Sequence, residues 1–398
     1  MTLDPIVVLD IGTRHIRALI AEENPDGHAP GRLVVTGYAE KDSRGIRTGS
    51  CTNADDAAAI VSEVVSAATA TAEVRAGAVH LPLTGIGIDS EPAHVELVVN
   101  GVVIPEHLDE IMRLARDKAP QGAALLHNVV RQYSIDDMAG VMPVGNSCST
   151  LKLDTLLIHG PKSRMLNLVH LLETLDIEIA APFFAGLCAA TASLTSAQKR
   201  EGVLHLDLGA GTTDFVAYAN AQMADAGVLP VGGDILTNDI AAAFHLTPSA
   251  AEALKCKHGQ AVLDASARTR RIPVGNDPGV KLFDLQTVIN CRMAETFALI
   301  RDRLRRKGIL SSLRAGVVLS GGGANLPKVV ELATQIFDLP CTIAEPALPG
   351  ATDDDKIPPP QMATIYGAAA LAYADLAEAA ANRKTFWRSI KNFFGFNP

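Results

Sequence analysis

The sequence predicts an α/β fold in two similar halves, with a small α+β insertion in the first half and a cleft between the halves. Three observations predict it. Apolar runs suited to buried strands alternate with helical patterns along most of the chain. The segment Ile6-Val7-Val8-Leu9-Asp10-Ile11-Gly12-Thr13 returns in outline as Val203-Leu204-His205-Leu206-Asp207-Leu208-Gly209, offset by 197 residues. A third apolar run ends in Gly321-Gly322-Gly323.

Composition narrows the function. The chain has 398 residues, 48% hydrophobic and 20% charged, enough for more than one core. Aromatics are only 4%, so those cores are expected to be aliphatic. A net charge of −9 argues against nucleic acid as a partner of the whole surface. The six cysteines form no Cys-x-x-Cys pair and no zinc spacing, so reduced thiols are expected. Residues 1–5 do not read as the start of a secretory leader, and no apolar run is long enough to span a bilayer.

The elements follow in order. Residues 6–9, 16–21 and 32–38 read as a strand meander, and the first strand breaks into a turn at Asp10 to Thr13. Residues 53–70 are Ala-rich and helical, with Asn53 as N-cap. Residues 78–83 read as a strand. From 82 to 160 the texture shifts to strands at 93–98, 129–135 and 150–158 and a helix from 106 to 118, the inserted unit. A helix at 165–175 and a strand at 177–180 lead to the second set. That set comprises strands at 203–208, 215–218 and 315–319, with helices at 234–244, 248–258, 284–307, 328–337 and 364–381.

An Asp at a strand end before a glycine-rich hairpin suits metal–phosphate chemistry. Gly12, Gly209 and Gly211 let backbone N–H groups approach phosphate oxygens, and Thr13, Thr212 and Thr213 add hydroxyl donors. Asp10 and Asp207 can hold Mg²⁺ through waters. A strand entering Gly321, Gly322 and Gly323 and then a helix can lay backbone flat against an adenine. The P-loop motif is absent, and the 209–214 turn lacks the third glycine of the dinucleotide fingerprint.

These turns, with residues 230–240 (Gly232, Gly233 and Asp234 among them), 251–259 and 316–327, resemble the actin/Hsp70/sugar-kinase superfamily. Within it they are similar to the FtsA family of bacterial cell-division actin homologues. The resemblance covers nearly the whole chain. It implies an actin-like duplicated ATPase fold. The first half would be 1–81 completed by 161–200, with the insert at 82–160. The second half would be 201–236 completed by 313–381, with a subdomain at 237–312. It further implies ATP with Mg²⁺ as cofactors, Glu252 and Lys255 beside the ribose and adenine, and Gly232 and Gly233 as a phosphate-side turn opening a helix. Implied partners are the C-terminal peptide of FtsZ at 237–312, further copies of the chain in a filament, and later septal proteins at the insert. The implied location is the cytoplasmic face of the cell membrane at the division site.

Two departures from the family pattern matter. The first turn continues Thr13-Arg14-His15 rather than Thr-Ser-Lys, so Arg14 either meets a phosphate or stays a solvated cation. Where active relatives place a Gln or Glu to orient water, Ala185 stands, and no Asp, Glu, Gln or Asn occurs between Ala180 and Ser196. The expectation is an ATP-driven switch with weak hydrolysis.

The tail from 382 to 398 reads by itself. Phe386, Trp387, Ile390, Phe393 and Phe394 fall on one helical face, with Arg388 and Lys391 mostly off it. A basic helix with an aromatic face suits an anionic membrane surface; its rival is a helix docked on the protein itself. The rival functions are a small-molecule kinase on the same fold and a pilus-assembly actin homologue.

Overall fold

The computed structural model describes residues 4–24, 31–75, 77–274, 277–352 and 358–381. The chain opens with the meander β1 (Ile6–Ile11), β2 (His15–Glu23) and β3 (Leu33–Asp42), then a two-residue ribbon, β4 (Ile46–Arg47) and β5 (Ser50–Cys51). Helix α1 (Ala54–Ala72) follows, and Asn53 caps it by accepting from the Asp56 N–H at 3.3 Å. Strand β6 (Val79–Leu83) completes this stretch. The insert is β7 (Asp89–Val102), α2 (Pro105–Arg116), β8 (Ala123–Ile135), β9 (Met138–Ala139) and β10 (Ser147–Pro161). Then come α3 (Lys162–Glu173), β11 (Ile179–Phe184), α4 (Ala185–Ser193) and α5 (Ser196–Glu201).

The second set is β12 (Val203–Leu208), β13 (Thr213–Ala219), β14 (Gln222–Leu229), α6 (Gly233–Phe244), α7 (Pro248–His258), β15 (Arg271–Val274) and β16 (Asp277–Lys281). It ends with α8 (Leu282–Arg306), β17 (Val317–Ser320), α9 (Val329–Phe337), β18 (Cys341–Ile343) and α10 (Ala363–Ala381).

The sheets carry the duplication. The first runs β3-β2-β1-β6-β11; the second contains β14-β13-β12-β17-β18 in the corresponding order. In each, the first three strands are antiparallel and the rest parallel to the central one. Even the register repeats: Asp10 pairs with Arg17, and Asp207 with Asp214. Strands β1 and β12 are almost wholly buried, which explains their unbroken apolar runs.

Several boundaries differ from the sequence reading. Pro82 sits inside β6, paired with Phe183, so the insert begins after Leu83. The three long insert strands, β7, β8 and β10, run 13 to 15 residues, because their polar outward faces interrupt the apolar runs. Helix α10 does not complete the second half. Its Ile365, Ala368, Ala369 and Ala372 pack with Ile6, Val8 and Leu19 on the first sheet. Helix α8 serves two cores: Leu285 and Ile289 lie in the 237–312 subdomain, while Phe297, Ile300 and Leu304 pack beneath the second sheet. The insert strands also extend the second sheet, through one residue pair between Gly227 of β14 and Asp89 of β7.

All six cysteines are free. Among the described residues no helix is long and apolar enough to cross a membrane. The tail positions Phe386, Trp387, Arg388, Ile390, Lys391, Phe393 and Phe394 lie outside the described residues.

Candidate functional site

A cleft of about 490 Å³ lies between the halves. Every site residue proposed from the sequence outside the tail lines it. The β1–β2 turn contributes Asp10, Gly12, Thr13 and Arg14, and the β12–β13 turn contributes Asp207, Gly209, Gly211, Thr212 and Thr213. Gly232 and Gly233 stand at the start of α6, Glu252 and Lys255 on α7, Gly321 to Gly323 after β17, and Ala185 at the start of α4.

The two turns are built alike. Gly12 N–H donates to the His15 carbonyl at 3.0 Å, and Gly209 N–H to the Thr212 carbonyl at 2.9 Å. They also meet: a Cβ on Gly211 would sit 2.4 Å from Thr13 Oγ1 and 2.9 Å from the Thr48 Cα, and the Thr48 backbone is what keeps this position glycine. Gly321 has φ +80°, and a Cβ there would lie 2.3 Å from Asp207 Oδ1. Gly322 faces open space.

The acidic side chains are held in place. Asp207 accepts from Ser320 Oγ at 3.1 Å and from Thr364 Oγ1 at 2.9 Å. Thr364 belongs to α10, so this bond ties the second half's turn to a helix packed on the first half. Asp10 accepts from Arg17 Nη1 at 3.4 Å, and Arg17 also pairs with Glu40. Burial pushes the carboxyls of both Asp10 and Asp207 up, against the opposing pull of Arg17 on Asp10 and of Thr364 and Ser320 on Asp207. Asp214, Arg17's counterpart in the repeat, accepts from Thr84 Oγ1 at 2.6 Å. Burial, then the charge of Asp207, raises its pKa to about 8. At neutral pH Asp214 is therefore mostly protonated.

At the other wall, Lys255 Nζ donates to the Gly233 carbonyl at 3.0 Å and to Thr237 Oγ1 at 2.8 Å, and lies 2.7 Å from Glu252. Burial opposes ionisation of Glu252, but its bonds to Lys255 and Thr237 outweigh that and hold its pKa below the ordinary value. The Glu252 carboxylate is thus held in place by Lys255 and Thr237. Among the described residues no three His, Cys, Asp or Glu side chains are grouped to hold a metal by themselves.

The sequence reading missed Arg17, Thr84, Asp214, Ser320 and Thr364. Arg17 and Asp214 were findable: each sits opposite its Asp across a hairpin. Thr84 and Thr364 carry no local signal, since their partners lie 130 and 157 residues away.

The family model for Cell division protein FtsA matches residues 204–367. The Cell division protein FtsA of Neisseria meningitidis serogroup B is 30% identical over 374 residues, covering 91% of this chain and 88% of that one. The chain belongs to the FtsA family. The Pseudomonas aeruginosa member is 30% identical over 87% of this chain and 85% of its own. The Escherichia coli K12 member is 28% identical over 87% and 86%. Among solved structures, a PilM–PilN type IV pilus biogenesis complex superposes with TM-score 0.65 at 18% identity, covering 92% of this chain and 98% of that one. MreB 5 of Spiroplasma citri bound to AMPPNP superposes with TM-score 0.56 at 13% identity, covering 96% and 99%. At those identities the likeness is one of fold, and that fold is actin-like.

Proposed function

We propose that the protein binds Mg-ATP in this cleft and acts as an actin-like adaptor that polymerises on the cytoplasmic face of the cell membrane at the division site. There it tethers the FtsZ ring and brings in later division proteins. One observation carries the nucleotide reading: two symmetry-related Asp-Gly turns meet across a glycine-floored cleft large enough for a nucleotide. The capture of AMPPNP by MreB 5 on the same fold supports it.

The residues fit the group. Gly12, Thr13, Gly209, Gly211, Thr212 and Thr213 would surround phosphates, joined by Arg14 and by Gly232 and Gly233 at the N-terminus of α6. Glu252 and Lys255 would take the ribose and adenine, with Gly321 to Gly323 as the flat wall. Asp10 and Asp207 would hold Mg²⁺. Two protein carboxylates suit an ion that keeps several waters and takes phosphate oxygens as ligands, and among the described residues no three His, Cys, Asp or Glu side chains are grouped to hold one alone. The ion would neutralise phosphate charge. Ala185 begins α4 at the cleft with a methyl group, so nothing at that position orients water. ATP then works as a switch with weak hydrolysis.

The membrane reading rests on the tail's aromatic face and cations, each cation worth about 1 kcal/mol beside anionic lipid. One such helix binds reversibly, so a filament presenting many would hold by avidity. The FtsZ peptide is assigned to the 237–312 subdomain and the later partners to the insert. The test is recruitment of labelled FtsZ to anionic liposomes. Recruitment is expected only with this protein and Mg-ATP together. Recruitment that ignores the protein, or the absence of any, contradicts the adaptor role.

A further inference from the structure

Across the back of the molecule, the insert meets the second half at a cluster of charged groups. Asp225 of β14 is fully buried and accepts from Arg303 Nε at 2.7 Å, Arg303 Nη2 at 2.8 Å and Lys307 Nζ at 2.7 Å. Ser90 of β7 donates to Asp225 at 3.0 Å and accepts from the Ala226 N–H at 2.8 Å. Arg303 stacks over Phe215, 4.9 Å from the ring centroid, which fixes the guanidinium plane. Its outer edge reaches across the boundary to Asp89 of β7, with Nη1 at 3.2 Å from Oδ2 and Nη2 also bonded to Oδ1.

The cluster is more than Asp225 needs. Two cations already balance that carboxylate from within its own half. The bond to Asp89 therefore contributes little to neutralising buried charge; what it does is join two parts of the chain. Backbone contact at this seam is thin: one residue pair, Gly227 with Asp89, and the Val228 N–H donating to the Ile88 carbonyl at 3.1 Å. Gln222 Nε2 adds one bond to the Arg131 carbonyl at 2.8 Å. The other side of the insert is fastened to the first half. His127 accepts from the Phe184 N–H at 2.8 Å, and the Phe183 ring stacks between His80 and His127.

We propose that Arg303 latches the insert to the second half, so that the insert bridges the two halves and restrains opening of the cleft. Halves that part must break a fastening on one side of the insert. The His127 side is continuous with covalent chain, while the Arg303 side is held by its polar cluster, a single ladder pair and an apolar core in which Met223 and Ala226 of β14 cluster with Ile88, Leu156 and Ile158 of the insert. The latch is thus the joint that yields, and an effector that shifts the insert would loosen the cleft by the same route.

The test uses the full chain with Asp89→Ala; the side chain is about half exposed, at 47%, and Arg303 keeps Asp225, but the variant also removes the acceptor of the buried Ser90 N–H at 2.7 Å. Asp89→Asn, which keeps an acceptor without the charge, gives an intermediate point. Two readouts are taken: hydrogen exchange at the Val228 amide, and release of a fluorescent ATP analogue. The expected result is at least tenfold faster exchange and at least threefold faster release, with Asp89→Asn between. Unchanged exchange overturns the latch, and faster exchange with unchanged release overturns its restraint of the cleft. The release arm rests on the ATP reading. If the wild-type chain retains no analogue, that reading fails, and Val228 exchange alone decides whether the latch holds the seam.

Discussion

Gly211 packs against Thr13 at the floor of the cleft, so closely that a Cβ would lie 2.4 Å from the Thr13 hydroxyl and 2.9 Å from the Thr48 Cα. The Thr13 side chain can rotate away, but the Thr48 backbone cannot move without shifting the β4–β5 ribbon. Gly211→Ala should therefore pry the turns apart. The expected outcome is about 1–3 kcal/mol of lost stability and at least tenfold weaker ATP binding. Thermal unfolding and calorimetric titration check the two effects. Unchanged affinity would mean that the turns need not meet to bind nucleotide.

Asp207→Asn tests the metal assignment. Asn keeps the shape and can still accept from Ser320 or Thr364, so the stability loss should be near 1 kcal/mol. Wild-type affinity for ATP should fall when Mg²⁺ is chelated. Affinity of the variant should be low with or without Mg²⁺. Equal Mg²⁺ dependence in both proteins would remove Asp207 from the site.

Asp214 gives stability a pH dependence of known sign. Burial and then the Asp207 charge raise its pKa from 3.8 unfolded to about 8 folded. The fold binds this proton more tightly than the unfolded chain does. The stabilisation it brings is full below about pH 4 and is lost as pH rises towards 8. Asp214→Asn should remove that fall, so the variant gains on the wild type between pH 5 and 8. Urea unfolding across this range, in nucleotide-free buffer, measures it.

Asp225 has the opposite sign. Burial opposes its ionisation, but hydrogen bonds from Arg303 and Lys307 outweigh this and hold its pKa below the ordinary 3.8. Its stabilisation is present above that value and is lost as pH falls through the lower folded pKa. Arg303→Met at pH 7 should cost about 3 kcal/mol, the low end for breaking a buried pair, because Lys307 remains. The gap between variant and wild type should shrink below pH 4.

How much of this was legible follows from the range of each signal. The Asp10 and Asp207 turns were legible because strand, Asp and glycine are adjacent in sequence and occur twice. Helix α10 was assigned to the wrong half because adjacency favoured the second half, whereas its Ala368, Ala369 and Ala372 face the first sheet. Strand β14 escaped notice because Asp225 and Gly227 break its apolar run. Asp225 is a buried charge made tolerable by Arg303 and Lys307, 78 and 82 residues on, and by the Ser90 hydroxyl, 135 residues back. The Thr364–Asp207 bond was invisible for the same reason: it exists only once the fold brings α10 back across the cleft.

The central claim is a nucleotide-governed adaptor held to the membrane by its tail. Co-sedimentation with anionic liposomes tests it most directly, comparing the full chain with one ending at Asn382, with and without Mg-ATP. The account predicts that only the full chain pellets and that Mg-ATP increases the pelleted fraction. Equal behaviour of the two chains would contradict it.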